Sequence, residues 1–338
     1  MARLVVLLLL FAGPAFAAPD CLDPVRMERQ AMGSVLRVVV CPLDDSAQAR
    51  TQAARATDAV AQQFQRLEAL WSTWVPHSDV SRLNAAPPGT AVAVAPETAA
   101  ILARALLGSR QTDGLFDVTF APLGALWAFD TPPSAHQPTK LQRVPTVAEV
   151  RAKMAVVGFA GLHVDVAQHT ATLLRTGMAV HLGGIGKGAA VDAGVALLRQ
   201  RGFADFAVQA GGDLYVAGRK GGRPWRVGIA HPRQPGQILG EVELADAAFS
   251  TSGDYERFAI IDGTRYHHIL DPRTGWPATA SQSATVRAAT ATDAEVLTKA
   301  AFIAGGASGV AMAEQWGAQA VIVDKDGTVW QSKGLVLR

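Results

Sequence analysis

Helices and strands are segregated along this 338-residue chain rather than alternated, and that arrangement predicts an α+β fold, not a doubly wound parallel sheet. Three observations carry the prediction. Two helical patterns occupy the first half, at 45–74 and 97–110. The half beyond residue 205 is a succession of short strand patterns, with Asp262-Gly263 marking a tight hairpin turn. Between them, residues 179–202 read as a short apolar strand, a glycine-rich turn carrying Lys187, and an amphipathic helix closed by Gly202.

The chain opens on MARLVVLLLLFAGPAFAA, with one basic residue at Arg3, an apolar run, and small residues at Ala15 and Ala17. This predicts a secretory signal peptide over 1–17, cleaved near Ala17, and an exported, periplasmic mature protein. Gly13 and Pro14 break the run, and no other apolar stretch is long enough to span a bilayer, so stable membrane insertion is not expected. Lys plus Arg number 31 against 29 Asp plus Glu, a formal charge of +2. Such a balance argues for neither a nucleic-acid track nor an anionic membrane surface as partner. Cys21 and Cys41, the only cysteines, both follow the cleavage site. In an oxidising compartment they either form one bridge or stand as two free thiols.

Residues 30–41 alternate and then run apolar, as a strand does, with Met32 and Gly33 at its start. Over 45–74, Ala53, Ala56, Val60, Phe64, Leu67, Trp71 and Trp74 make one helical stripe that ends before Pro76. SDVSRLN, at 78–84, reads as a polar turn. The second helix leads into LFDVTFAPLGALWAF, where Asp117 lies between Phe116 and Val118. A carboxylate in such apolar company is either paired or functional. Thr146 with Glu149 forms a capping box for a helix reaching near Gly158, and 162–174 reads as a hairpin. After the glycine turn, Gly211, Gly212 and Asp213 separate two strands. Further strands follow at 225–230, 241–244, 248–250, 257–261 and 266–270. Residues 271–275 form a Pro-initiated turn with His268 at its mouth. A helix over 292–304 stops at Gly305, another runs to Trp316, and a last hairpin turns at Asp326-Gly327.

Gly184, Gly186 and Gly188 allow a ligand to approach the backbone, and the helix start behind them favours an anion. The turn is therefore a candidate phosphate site; a glycine-rich connection without a ligand is the structural alternative. A Walker A loop is excluded, because His181 and Gly188 stand where that motif needs a glycine and a hydroxyl. Gly184, Gly186 and Ala189, with Asp205 downstream, match a dinucleotide fingerprint literally. The strand-rich half that follows argues against a nicotinamide oxidoreductase.

Taken together, LGGIGKGAAVD, QAGGDLYVAG, STSGDYE and HHILDPRTGWP, preceded by MGS, SDVSRLN and FDVTFAPL, resemble the FAD:protein FMN transferase family of the ApbE type. The likeness covers nearly all of the mature chain. It implies an α+β fold of mixed and antiparallel sheets with flanking helices: one domain over 18–338, built as two intertwined subdomains with FAD in the cleft between them. It also implies cleavage of FAD at its pyrophosphate, attachment of FMN through a phosphoester to a Thr or Ser of an exported acceptor protein, and release of AMP. By this resemblance the flavin and nucleotide contacts fall on Met32, Trp74, Phe116, Asp117, Lys187 and Leu270, with His181 near the adenosine half. His268 falls on the family's proposed base.

The residue types suit these roles. Breaking a phosphoanhydride with an alcohol needs a base for the hydroxyl proton and positive groups to offset charge on the phosphates. His268 can supply the first and Lys187 the second. The structural alternative for His268 is a strand-end histidine bonded to its turn, a part His267 suits better. Trp74 either offers a flat surface for a ring or completes the buried stripe.

The family's magnesium ligands are a backbone carbonyl, here Gly184, and an aspartate and a threonine four apart, here Glu295 and Lys299. A protonated ammonium cannot coordinate a metal. Either Thr298 completes an altered magnesium site with Gly184 and Glu295, or Lys299 itself offsets phosphate charge. The structural alternative is a capping box of Thr292 with Glu295 and a helical Glu295–Lys299 pair. An exported FAD-binding protein without transfer activity is the alternative function.

Overall fold

The computed structural model describes residues 21, 23–129 and 136–338; the segment 1–17, expected to be a signal peptide, lies outside the described residues. Eight strands form one antiparallel sheet whose spatial order follows chain order: Val25–Ala31, Ser34–Val40, Phe206–Ala210, Asp213–Ala217, Ala247–Gly253, Ser281–Ala288, Gln319–Asp324 and Val329–Gln331. The pleat sends alternate side chains to opposite faces. Leu36, Val38, Val208, Tyr215, Ala248 and Ala284 face a core shared with the helices Ala47–Trp71, Gly186–Gln200 and Ala291–Ala304. Ala207, Val216, Phe249 and Val321 face the other way, where the hairpin of Trp225–Ala230 and Ile238–Leu244 covers them with Trp225, Ile229, Val242 and Leu244. The expected mixture of helices with antiparallel sheets is thus present.

Several expected elements shift. The strand placed at 30–41 is a hairpin, Met32 (φ +50°) and Gly33 (φ +67°) forming its two-residue turn, because both residues adopt the left-handed backbone such turns require. The long helix ends at Trp71, not Trp74. Past Trp71 the backbone turns away: the Ser72 carbonyl accepts the Ser78 hydroxyl at 2.7 Å and the Ser72 hydroxyl accepts the Trp74 N–H at 3.2 Å. SDVSRLN is a short helix, Asp79–Ala85, whose N-cap Ser78 accepts the Ser81 N–H. The apolar residues before the glycine turn pair with no strand. Instead Asn84 grips Val180 on both backbone groups, accepting its N–H at 2.8 Å and donating to its carbonyl at 2.9 Å. Ser281–Ala288, unanticipated, is a central strand of the sheet. Cys21 and Cys41 are bonded to each other, with Cα atoms 5.3 Å apart.

Candidate active site

Two helix N-termini cross at the site. Gly186–Gln200 begins at the glycine turn, and Ala291–Ala304 is capped by Thr290, whose hydroxyl accepts the Asp293 N–H. Asp192 of the first helix accepts the N–H groups of Ala291 and Thr292, at 2.8 and 2.9 Å, and the Thr292 hydroxyl at 2.5 Å. The capping box expected of Thr292 and Glu295 therefore does not form: the helix starts two residues earlier, and Glu295 turns inward. A Cβ added at Gly188 would lie 2.4 Å from the Ala291 carbonyl oxygen, so the crossing tolerates no side chain there. Gly188→Ala is expected to cost about 1–3 kcal/mol by prising the helices apart. A denaturant melt measures it.

This crossing puts Lys187 and Glu295 against each other. Glu295, with 0% of its side chain exposed, accepts from the Lys187 ammonium on Oε1 at 2.5 Å and from the Gly188 N–H on Oε2 at 2.7 Å. Lys187 also reaches Asp213 at 3.0 Å and the Gly183 carbonyl at 3.5 Å. Asp213 accepts the Ser250 hydroxyl at 2.6 Å, and Lys299 stands 3.6 Å from Glu295 Oε1. Two ammoniums and two carboxylates balance in a partly desolvated cluster. Burial alone would push Lys187 down, but Asp213 and Glu295 more than reverse it and hold its pKa above the ordinary range. Burial likewise opposes the Asp213 charge; Lys187 and Lys299 outweigh it and hold that carboxyl below its usual range. For Lys299 burial prevails over Glu295 and Asp213, and its pKa is lowered.

Several expected contact residues gather here. Gly211, at φ +59°, sits between the Ser34 hydroxyl and Lys187 Cε, 2.7 and 3.7 Å from where its Cβ would be; the Met32-Gly33 turn thus ends beside the lysine. Phe116 is buried under the glycine turn, its Cε2 3.3 Å from a Cβ built on Gly184. His181 donates its backbone N–H to Val118 and accepts the Gly183 N–H on Nδ1 at 3.0 Å. Burial, then the Lys187 and Arg257 charges, lower its pKa. Trp71 packs at Gly186, and Trp74, three residues further, is 90% exposed. Trp74 is therefore no part of the buried stripe, and its ring is free to stack.

His268 is exposed, its Nδ1 3.4 Å from the Arg257 carbonyl, which leaves Nε2 as the open lone pair. Although solvent reaches the ring, the protein packed around it is the main cause of a lowered pKa, with His267, Arg257 and Lys299 adding to it. The shift favours the neutral imidazole. Arg257 acts on both His181 and His268, and Lys299 on His268, so these groups share one electrostatic neighbourhood with the lysine pair. His267 is buried between the Ala278 carbonyl at 2.7 Å and the Ile269 N–H at 3.2 Å, a structural role.

Others stand apart. Asp117 spends both oxygens on its own 3₁₀ turn and on Phe159: Oδ1 accepts the Thr119 N–H and hydroxyl at 2.7 Å, and Oδ2 the Phe159 N–H at 2.8 Å. Burial still raises its pKa despite these bonds. The Leu270 side chain packs with Leu123, Trp127 and Val150 in a separate small core. Two open surface hollows, along His163–Thr172 and between Thr139–Gln142 and Ala259–Ile261, contain none of these side chains.

The ApbE family model matches residues 32–322, most of the chain, and leaves out the two edge strands Val25–Ala31 and Val329–Gln331. The chain belongs to the ApbE family. It is 34% identical to an FAD:protein FMN transferase of Treponema pallidum over 77% of this chain and 75% of that one, and 33% identical to another of Salmonella typhimurium over 80% and 75%. Among solved structures it superposes on the ApbE protein of Thermotoga maritima with a TM-score of 0.80 and 31% identity, covering 92% and 97% of the two chains. The flavin transferase ApbE of Vibrio cholerae superposes with a TM-score of 0.79 and 27% identity, covering 92% and 97%.

The magnesium set expected of an ApbE protein does not fit the residues present. Both Glu295 oxygens are engaged, Thr298 donates its hydroxyl away to the Ser250 carbonyl at 3.0 Å, and Lys299 brings a positive charge. Among the described residues no group of three or more His, Cys, Asp or Glu could hold a metal ion. Thr298 could serve as a ligand only by breaking its buried hydrogen bond to Ser250.

Sequence reasoning missed Asp213, Ser250, Asp192 and Arg257. Asp213 had a signal: a lone carboxylate opening an apolar strand, LYVAG, must find a cation. Arg257, in an ordinary polar stretch, had none.

Proposed function

We propose that this chain is an FAD:protein FMN transferase, moving FMN from FAD to a Thr or Ser hydroxyl of an exported acceptor as a phosphoester and releasing AMP. The observation that carries the reading is the neighbourhood of His268: a neutral imidazole with an open Nε2, close to the lysine-bearing helix crossing, in a chain matched as ApbE over residues 32–322. In this reading the acceptor oxygen attacks the phosphorus on the FMN side and His268 Nε2 takes the hydroxyl proton. The bond to the AMP phosphate breaks, and AMP leaves with the charge. Backbone N–H groups of the turn and nearby cations offset that charge. Met32, Phe116 and an exposed Trp74 are suited to the isoalloxazine ring, His181 to the adenosine half, and FAD lies in a cleft between two subdomains of one domain, 18–338. The Cys21–Cys41 bond supports an exported, oxidising location.

The test is the mass of an acceptor carrying a D-G-x-T segment after incubation with FAD. A gain of one FMN supports transfer; tight FAD binding with no gain favours a flavin carrier instead.

A pH profile follows from the imidazole. A lowered pKa keeps the base unprotonated further into acid, so transfer should hold level from pH 8 down through the ordinary histidine range of about 6.5 and fall only below it. A limb at or above that value would assign the proton transfer to another group.

A further inference from the structure

The two lysines of the cluster are not equivalent. Lys187 donates to Glu295, Asp213 and the Gly183 carbonyl, which occupies the three protons of its ammonium. Among the described residues Lys299 makes one ion pair, with Glu295 Oε1 at 3.6 Å, beyond hydrogen-bond distance. Its side chain keeps 23% of its surface exposed, and its charge is felt at His268. Among the described residues its three N–H donors are thus unspent, on a cation that is mostly enclosed. The same side chain occupies the position at which the ApbE resemblance implies a metal ligand, and the residues around it do not fit a metal. A divalent ion added to a cluster already balanced by two ammoniums and two carboxylates would leave two positive charges in excess in a poorly solvated place.

Resting on the flavin-transferase reading, we propose that Lys299 replaces the divalent cation in this chain: its ammonium binds the FAD diphosphate directly, so that FAD binding and FMN transfer proceed without metal. Lys187 is then a strut that holds Glu295 and Asp213, and Lys299 is the phosphate-facing cation. Glu295 Oε1, 3.6 Å away, helps fix where the Lys299 ammonium sits.

The experiment uses metal-stripped full-length mature protein and reads two quantities: FAD affinity from quenching of flavin fluorescence, and FMN transfer from acceptor mass. Each is measured in EDTA and in excess magnesium. For the unaltered protein both quantities should change less than about twofold between the two conditions. Lys299→Met, which keeps the stem and removes the charge, should weaken FAD binding at least about tenfold, the scale of one charge-assisted phosphate contact, and magnesium should not restore it. The double variant Glu295→Asp with Lys299→Thr should regain FAD affinity in magnesium and lose it in EDTA. Lys299→Met, whose fold is checked by circular dichroism, carries the test if the double variant does not fold.

A tenfold or larger loss of FAD affinity in EDTA for the unaltered protein, reversed by magnesium, would overturn the proposal. So would wild-type FAD affinity in Lys299→Met. Metal-independent FAD binding that depends on Lys299, with no transfer under any condition, would uphold the charge replacement and refute the transferase reading alone. No FAD binding at all would refute both.

Discussion

Glu295→Ala is expected to destabilise the protein by about 3–5 kcal/mol, the range seen when one member of a buried ion pair is removed. The substitution strands Lys187 and Lys299 with only Asp213 between them and leaves the Gly188 N–H without its acceptor at the helix crossing. Each consequence is costly because Glu295 is wholly enclosed, so water cannot take over its bonds. Removing a positive charge together with the negative one should cost less. Glu295→Leu combined with Lys299→Leu leaves the Lys187–Asp213 pair balanced, and in a denaturant-melt cycle the pair should lose less than Glu295→Ala alone. A double variant as unstable as the single would mean that lost packing, not stranded charge, dominates.

His268→Ala is expected to lower FMN transfer by about 10²–10⁴-fold, the usual contribution of a positioned general base, with little change in stability. The imidazole is exposed and makes one long contact, 3.4 Å to the Arg257 carbonyl, so its removal leaves no cavity and no buried orphan. FAD affinity should stay near that of the unaltered protein, because proton removal matters only once the acceptor attacks. A loss confined to FAD affinity would make His268 a binding residue. His267→Ala provides the contrast: its ring bridges the Ala278 carbonyl and the Ile269 N–H inside the core, so the melt should move before the chemistry does.

Much of the architecture was legible because its signals are local. The glycine turn and its helix, the Asp262-Gly263 hairpin, the Thr146–Glu149 capping box and the Gly305 stop all announce themselves within a few residues, and all are present. Ser281–Ala288 was not legible. Its Gln282, Ser283 and Thr285 give no clean apolar alternation, yet the strand is buried between two others, and Gln282 and Thr285 find partners far along the chain. Thr285 meets the Thr251 hydroxyl at 3.0 Å, and Gln282 donates to the Lys325 carbonyl at 3.1 Å. Trp74 was misplaced for a related reason. Helical spacing carries on past Trp71, and nothing in the stripe announces that Ser72 and Ser78 will capture the backbone first.

The site divides along the same line. Lys187 stood out because glycines surround it, and His268 because a Pro-Gly turn follows it. A helical Glu295–Lys299 pair is the structural alternative that the spacing offers, and the two stand 3.6 Å apart. That the pair also meets Lys187, 108 positions earlier in the chain, depends on a helix crossing that no local pattern encodes. SDVSRLN illustrates the converse: Asn84 matters for the clamp it places on Val180, 96 positions away.

The central claim is that the lysine-bearing helix crossing and His268 address one diphosphate from two sides. A crystal structure of the protein with FAD bound and the acceptor omitted tests it most directly. The account predicts the diphosphate against the glycine turn and Lys299, with His268 Nε2 within hydrogen-bond reach of an attacking oxygen placed behind the FMN-side phosphorus, or one water from it. A diphosphate seated elsewhere, with His268 and Lys299 both out of reach, would contradict it.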